Sequence, residues 1–353
     1  MNQDTVTVAQ LSEFAEIVDV RSPGEFAQDH IPGSINCPVL DDNERARVGT
    51  LYSQVSPFTA GRVGAALIAR NIARHIEASF ADRPKTWRPL IYCWRGGQRS
   101  AAMAHVMRQI GWDVKRLAGG YKTYRRAVVA GIEALAGKLD YRVICGLTGA
   151  GKSILLRHLD RLGAQTVDLE QLAAHRGSVL GELPGETQPS QKMLESRIWL
   201  KLKSLDLRRP VYIESESRKV GNLRVPEPLI ARMWQSECVW LETALPVRVA
   251  LLMRDYRHLT EDVRTLHARL DCLVRLHGQE KINRWKDKVA STHWPEFVTQ
   301  MLQEHYDPAY IKSIARNYPR LDGATCVRLA DGGDTDFERA ARALLEPALT
   351  AMA

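Results

Sequence analysis

The stretch YRVICGLTGAGKSILLRHLDRLG, residues 141–163, decides how the chain is built. Its first five residues are mostly apolar and read as a buried strand. The next eight, GLTGAGKS (146–153), fill G-x-x-x-x-G-K-[ST] at every position, and a helical pattern follows. Gly146, Gly149 and Gly151, with Thr148 between them, let backbone N–H groups turn inward around a phosphate at a helix N-terminus. Lys152 adds a mobile positive charge, and Ser153 offers a hydroxyl to Mg²⁺. The motif specifies a polyphosphate. It selects neither ATP nor hydrolysis.

Outward from this unit, strand-like runs recur at PVYIES (210–215), CVWLET (238–243) and VRVALLM (247–253). Glu214 ends the first run, with Glu216 two residues on. An acid at the end of a neighbouring strand completes sites of this kind, so both are candidates for the second site. From Asp255 to Lys288 the pattern is helical and rich in charge. The tail is helical again, with a short strand expected at TCVRLA (325–330).

Upstream, EIVDVRSPGEF predicts a strand at Ile17–Val20 and a turn at Ser22-Pro23-Gly24. GSINCPV and PLIYC read as further strands, with a helix from about Arg62 to Phe80 between them. SAAMAHVMRQIG reads as a helix, VKRLAGGY as a last strand and turn, and 121–139 as a helix leading into the second half. Strand and helix alternate, which predicts an α/β layer with a mostly parallel sheet.

The loop IYCWRGGQRS (91–100) delivers Cys93 from a strand into two glycines, Gly96 and Gly97, and then a helix. Inward N–H groups at a helix N-terminus stabilise a thiolate and cradle an oxyanion. Arg95 and Arg99 are placed to pair with that anion. Two chemistries use such a loop, sulfur transfer and cysteine-dependent phosphate hydrolysis. Tyr92 stands where a phosphatase would carry histidine.

Composition sets outer limits. The chain has 353 residues, 45% hydrophobic and 25% charged, enough for two or three domains with real cores. No run reaches the roughly 18–20 apolar residues of a membrane span, and no secretory signal is visible, so a cytoplasmic protein without a membrane partner is expected. The six cysteines show no metal or disulfide spacing, which fits a reducing compartment. A net charge of +8 is compatible with RNA. Basic segments at 191–209 and 280–288 are candidate phosphate contacts, with Trp285 a candidate base-stacking residue.

VDVRSPGEFAQDHIPGSINCPV (18–39) and LAGGYKTYR (117–125) resemble the rhodanese signature, in which Asp19, Arg21 and His30 hold the fold. The Cys93-to-Arg99 spacing is one residue longer than in many rhodaneses and implies room for a bulkier, phosphate-like group. With GLTGAGKS, AHRGSVLG (174–181), QPSQKMLES (188–196) and ESESRKVGN (214–222), the whole chain resembles the bacterial tRNA 2-selenouridine synthases. The resemblance implies a rhodanese-like domain (1–126), a linker helix (127–139) and a P-loop NTPase-like parallel-sheet domain with a helical C-terminal region (140–353). It implies selenium-for-sulfur exchange at wobble 2-thiouridine of tRNAs for Lys, Glu and Gln. Selenophosphate and geranyl diphosphate would be co-substrates, with a selenophosphate-supplying enzyme as partner. Cys93, Arg95 and Arg99 would be catalytic, and Gly96, Gly97 and the 146–153 loop would bind phosphate. His175, Arg176, Arg218, Glu214 and Glu216 would line the second site. Two other readings stay open: a cysteine-dependent phosphatase fused to a nucleotide-binding domain, and a non-catalytic tRNA-binding scaffold.

Overall fold

The computed structural model describes residues 4–350, with side chains through Glu346. It divides into two compact units. One comprises Met1–Gly131 with Ser190–Trp199, the other Ile132–Pro189 with Leu200–Ala353. The helix expected over 121–139 forms as Gly120–Ala136.

In the first unit, strands β1 (Thr5–Val6), β2 (Ile17–Asp19), β3 (Ile35–Asn36), β4 (Leu90–Tyr92) and β5 (Lys115–Leu117) form a parallel sheet in the order β1-β5-β4-β2-β3. All residues of β2 and β4 are buried, as expected of a parallel sheet covered on both faces. The turn expected at Ser22-Pro23-Gly24 is the first turn of a helix, Pro23–Gln28. Ser22 and Glu25 cap it reciprocally, and Pro23 fits its first position because an N–H there has no helical partner. The helix expected from Arg62 to Phe80 runs Pro57–Ser79. A further helix, Asp42–Gln54, precedes it, capped by Asp41.

Asp19 and Arg21 hold this unit together. Arg21 donates to Asp19 through Nη2 at 2.6 Å and Nε at 2.9 Å, and to the Asp29 carbonyl at 2.6 Å. Its guanidinium carbon lies 4.0 Å from the Tyr121 ring centre. Burial works against the Arg21 charge, but the hydrogen bond and charge of Asp19 outweigh it and raise the guanidinium's pKa. Arg21→Met leaves a buried, unpaired carboxylate. We expect it to lower stability by about 3–5 kcal/mol, seen as an earlier urea midpoint. Arg21→Lys, which keeps charge but loses the two-pronged geometry, should fall in between.

The second unit carries β6 (Tyr141–Cys145), β7 (Gln165–Val167), β8 (Val211–Glu214), a small antiparallel ribbon of β9 (Lys219–Val220) and β10 (Leu223–Arg224), β11 (Glu237–Thr243) and β12 (Thr325–Leu329). The main sheet is parallel in the order β12-β11-β6-β8-β7. Because β6 is central, the loop after it opens at the carboxyl edge of the sheet, where α/β folds bind ligands.

Two expectations fail here. VRVALLM is not a strand but part of the helix Leu245–Asp255, with Pro246 in its first turn. A short apolar run does not reveal its own period, and tertiary packing of Val249 and Leu251 decided it. Trp285 is not available to stack on a base. It is 0% exposed, inside a cluster with Leu266, Leu270, Ile282, Phe297 and Met301. The charged helical stretch breaks into Arg257–Glu261, Val263–Asp271, Val274–His277 and Gln279–Ala290. Helix Trp294–Met301 follows, then a single π-helical turn at Leu302–Tyr306, then helix Asp307–Asn317.

Candidate functional site

The Cys93 loop lies between β4 and the helix Gln98–Ile110, which Gly97 caps. Cys93 is 3% exposed, and its Sγ lies 3.2 Å from the hydroxyl of Ser100. Gly96 takes φ +67°, and a Cβ there would come within 2.9 Å of the Leu117 carbonyl, so the loop closes tightly on β5. The Cys93 carbonyl accepts from the Tyr121 N–H at 2.9 Å, and that of Trp94 from the Lys122 N–H at 3.0 Å. Gly119 and Gly120, both at positive φ, make this approach possible. The two arginines differ. Arg99 Nη1 donates to Glu25 at 2.7 Å, and Arg45 also reaches Glu25, at 3.1 Å. Burial opposes ionisation of Glu25, but Arg99 and Arg45 outweigh it and hold the carboxyl below its ordinary value. Arg95 is exposed. Of the two, Arg99 is thus already paired with a carboxylate, and an anion at Cys93 competes with Glu25 for it.

The second site is built on Gly146–Ser153 and the helix Lys152–Arg161. Gly149 and Gly151 adopt φ +77° and +92°. A Cβ at Gly146 would come within 2.8 Å of the Leu241 carbonyl on β11. Thr148 is steadied through its carbonyl, which accepts from Arg248 Nε at 2.9 Å. Arg248, buried on the helix Leu245–Asp255, is paired in turn with Asp307, at 3.0 and 2.5 Å. Lys152 Nζ donates to the Gly146 carbonyl at 3.0 Å and lies 4.9 Å from the Tyr310 ring centre. Ser153, expected to meet Mg²⁺, donates to Glu170 at 2.8 Å and Glu214 at 3.2 Å. Among the described residues, no group of three or more acids, histidines or cysteines is arranged to hold a metal ion.

Acids surround this lysine. Glu214 is 0% exposed, and Glu170 donates its backbone N–H to it at 2.8 Å. Burial first, and then neighbouring carboxylates, push Glu214 well above its ordinary pKa. Burial likewise raises Glu170 and Asp168. Glu216 is pushed up to about 8, by burial and then by Glu170. Burial also works against the charge on Lys152, but Tyr310, Glu170 and Glu216 facing it prevail and raise its pKa.

Glu216 is therefore mostly neutral at pH 7. Its folded pKa lies above its ordinary one, so its contribution to stability is complete at low pH and is lost as pH rises through about 8. Ionisation adds a negative charge beside Lys152, where an anion must sit. We expect inorganic diphosphate, titrated without divalent cations, to bind about tenfold more weakly to the wild type at pH 9 than at pH 7 relative to Glu216→Gln. A constant ratio between the two proteins would remove this role.

A cavity of about 540 Å³ opens over the loop, lined by Gly149, Lys152, Ser153, Glu170, Glu216 and Tyr310 among others. An apolar cavity of about 70 Å³ adjoins it and shares Thr148 with it.

Residues 139–269 match the family described as the tRNA 2-selenouridine synthase AAA domain, and residues 6–127 match the rhodanese-like domain. The tRNA 2-selenouridine synthase of Nitrosomonas europaea is 34% identical over 247 residues, spanning 68% of this chain and 63% of that one. That of Marinobacter nauticus is 37% identical over 248 residues, 68% of this chain and 65% of its own. That of Bdellovibrio bacteriovorus is 29% identical over 348 residues, 86% of this chain and 89% of its own.

The chain belongs to the tRNA 2-selenouridine synthase family. The match thus spans just under two thirds of the Nitrosomonas and Marinobacter relatives and most of the Bdellovibrio one.

The site residues expected from the family resemblance fall into place unevenly. Thr148, Gly149, Gly151, Lys152, Ser153, His175, Arg176 and Glu216 all line the larger cavity. His175 is buried, and its Nδ1 accepts from the Gly177 N–H at 3.1 Å; burial lowers its pKa, so a neutral imidazole faces the cavity. Arg176 donates to the Asp255 carbonyl and packs over Tyr256. Glu214 sits behind the cavity wall and works through Ser153 and Glu170. Arg218 is not brought in. It pairs with Glu227 and packs on Trp234. Asp168, Glu170, Arg248 and Tyr310 escaped sequence reasoning. Asp168 and Glu170 follow directly on β7, whose three-residue run Gln165–Val167 is too short to signal a strand. Arg248 lay in a run misread as strand, and Tyr310 in a helix with no motif.

Proposed function

We propose that this chain converts wobble 2-thiouridine of tRNA to 2-selenouridine, with selenophosphate as selenium donor and S-geranyl-2-thiouridine as intermediate. The observation that supports it is the intact pair of anion loops, one presenting the Cys93 thiol and one presenting Lys152. In the first step the thiocarbonyl sulfur bonds to the first carbon of geranyl diphosphate, the carbon–oxygen bond breaks, and diphosphate leaves as the N3 proton is lost. Lys152 and the amides of Gly146–Ser153 stabilise the departing charge. Mg²⁺, if used, would meet Ser153 and share that charge. In the second step the Cys93 thiolate bonds to the phosphorus of selenophosphate and the selenium–phosphorus bond breaks, freeing hydrogen selenide, while Arg95, Arg99 and the loop amides hold the phosphoryl group, which water then releases from the thiol as phosphate. The selenide bonds to the base carbon, the carbon–sulfur bond breaks, the selenium proton passes to N3, and geranylthiolate leaves and takes a proton from water. The tRNAs for Lys, Glu and Gln are the proposed substrates, and a selenophosphate-making enzyme the supplier. ATP is the competing ligand for the phosphate loop.

Nucleoside mass spectrometry tests this. Purified protein and tRNA bearing 2-thiouridine should yield a geranylated nucleoside with geranyl diphosphate alone, and a selenium-containing one once selenophosphate is added. An unchanged base with tRNA still bound would favour a scaffold. Hydrolysis of a generic aryl phosphate instead would favour a cysteine phosphatase.

A further inference from the structure

The small cavity beside the phosphate loop has a composition unlike its neighbour. No charged side chain lines it. It shares Thr148, Ser178, Leu252, Tyr256 and Tyr306 with the phosphate cavity, so those residues form the boundary between the two. Its unshared wall comes from the helical region and includes Leu259, Leu266, Trp294, Phe297, Val298 and Met301. Leu266, Phe297 and Met301 are themselves buried in the cluster around Trp285, so this wall is backed by a packed core. The π turn contributes Leu302 and Tyr306 from its two ends. Such turns interrupt a regular helix and recur at functional sites.

A ligand anchored by its phosphates at Gly149–Ser153 extends into this space best with a hydrocarbon portion, because a charged group would lose its hydration there and meet no opposite charge, only a few hydroxyls on an otherwise apolar wall. The space is also short. At about 70 Å³ it has room for roughly five to seven water-sized groups, about one isoprene unit, so a second unit would have to lie along the shared boundary residues.

We infer that this cavity receives the tail of a prenyl diphosphate, and that its wall at Trp294, Phe297, Val298 and Met301 limits the tail to one or two isoprene units. The inference rests on the prenyl-transfer step proposed above. It assigns to the helical region the choice of chain length, and to the loop only the choice of headgroup.

The test uses the full chain, tRNA bearing 2-thiouridine, and dimethylallyl, geranyl and farnesyl diphosphates. The products are read by nucleoside mass spectrometry, and inorganic and geranyl diphosphate binding by calorimetry. Wild type should bind geranyl diphosphate at least tenfold more tightly than inorganic diphosphate and discriminate against the fifteen-carbon donor. Trp294→Ala, at a partly exposed position, should raise the farnesyl-to-geranyl product ratio about tenfold or more. Val298→Trp should lower geranyl transfer about tenfold and dimethylallyl transfer less. Inorganic diphosphate affinity should be unchanged in both, showing that each has folded. Equal wild-type affinity for geranyl and inorganic diphosphate, or an unaltered chain-length profile in both variants, would overturn the inference. If wild type transfers no prenyl group yet still binds geranyl diphosphate preferentially, the transfer reading fails and the tail site stands.

Discussion

Cys93→Ala is expected to reduce 2-selenouridine formation at least about 10³-fold while leaving geranylation of the same tRNA near the wild-type rate. The size of the effect follows from chemistry. Removing a nucleophile that bonds to a reacting atom removes the pathway, whereas removing a positioning contact only slows it. The separation of the two activities follows from the fold, since Cys93 belongs to the β4 loop of one compact unit and the phosphate loop to the other. The substitution is small and sits against Ser100, so folding should survive it. Cys93→Ser is the stricter control, because it keeps the shape beside Ser100 and changes only the reacting atom. Full-rate selenouridine in either variant would end the proposed role. Loss of both products would mean that the thiol also serves the first step.

Lys152→Ala should have the second largest effect. Geranylation should fall about 10²–10³-fold, with diphosphate affinity falling alongside it, as expected when the principal cation facing a leaving anion is lost. The surroundings enlarge the effect. Lys152 faces Glu170 and Glu216, and without it those acids lose the cation beside them, while Arg157 and Arg176 remain on the cavity wall. Those acids respond by holding their protons more tightly, so the variant's pH dependence should also move upward. Single-turnover mass spectrometry of the geranylated nucleoside measures the rate, and calorimetry with inorganic diphosphate measures the binding. Unchanged geranylation would refute the assignment of the loop to this donor. Retained geranylation with loss of ATP binding would return ATP as its ligand.

Much of the site was legible because its chemistry is local. GLTGAGKS has its glycines, lysine and serine within eight contiguous residues, and the backbone geometry they require is set by those residues themselves. The Cys93 loop is local in the same way. Asp19 and Arg21, two residues apart, form their ion pair across a single bend of chain. The strands β6, β8 and β11 were also readable, since each is a short apolar run bounded by turn-forming residues.

The remainder depended on which distant segments the fold brings together. Arg248 steadies Thr148 from a hundred residues downstream, and Asp307 orients Arg248 from further still. Glu170 meets Ser153 only because β7 pairs beside β8. Arg99 looked ready to hold an anion from its position in the loop, yet Glu25 already occupies its guanidinium. Trp285 looked like a stacking surface among basic residues, and packing placed it in the core. By itself, then, the sequence determined the two reactive loops and the parallel α/β frame, because contiguous residues carry their own backbone requirements. Only the tertiary structure decided which acids face Lys152, which arginine of the Cys93 loop is held by Glu25, and where an apolar chamber lies. Those follow from long-range packing, and no short window of residues contains them.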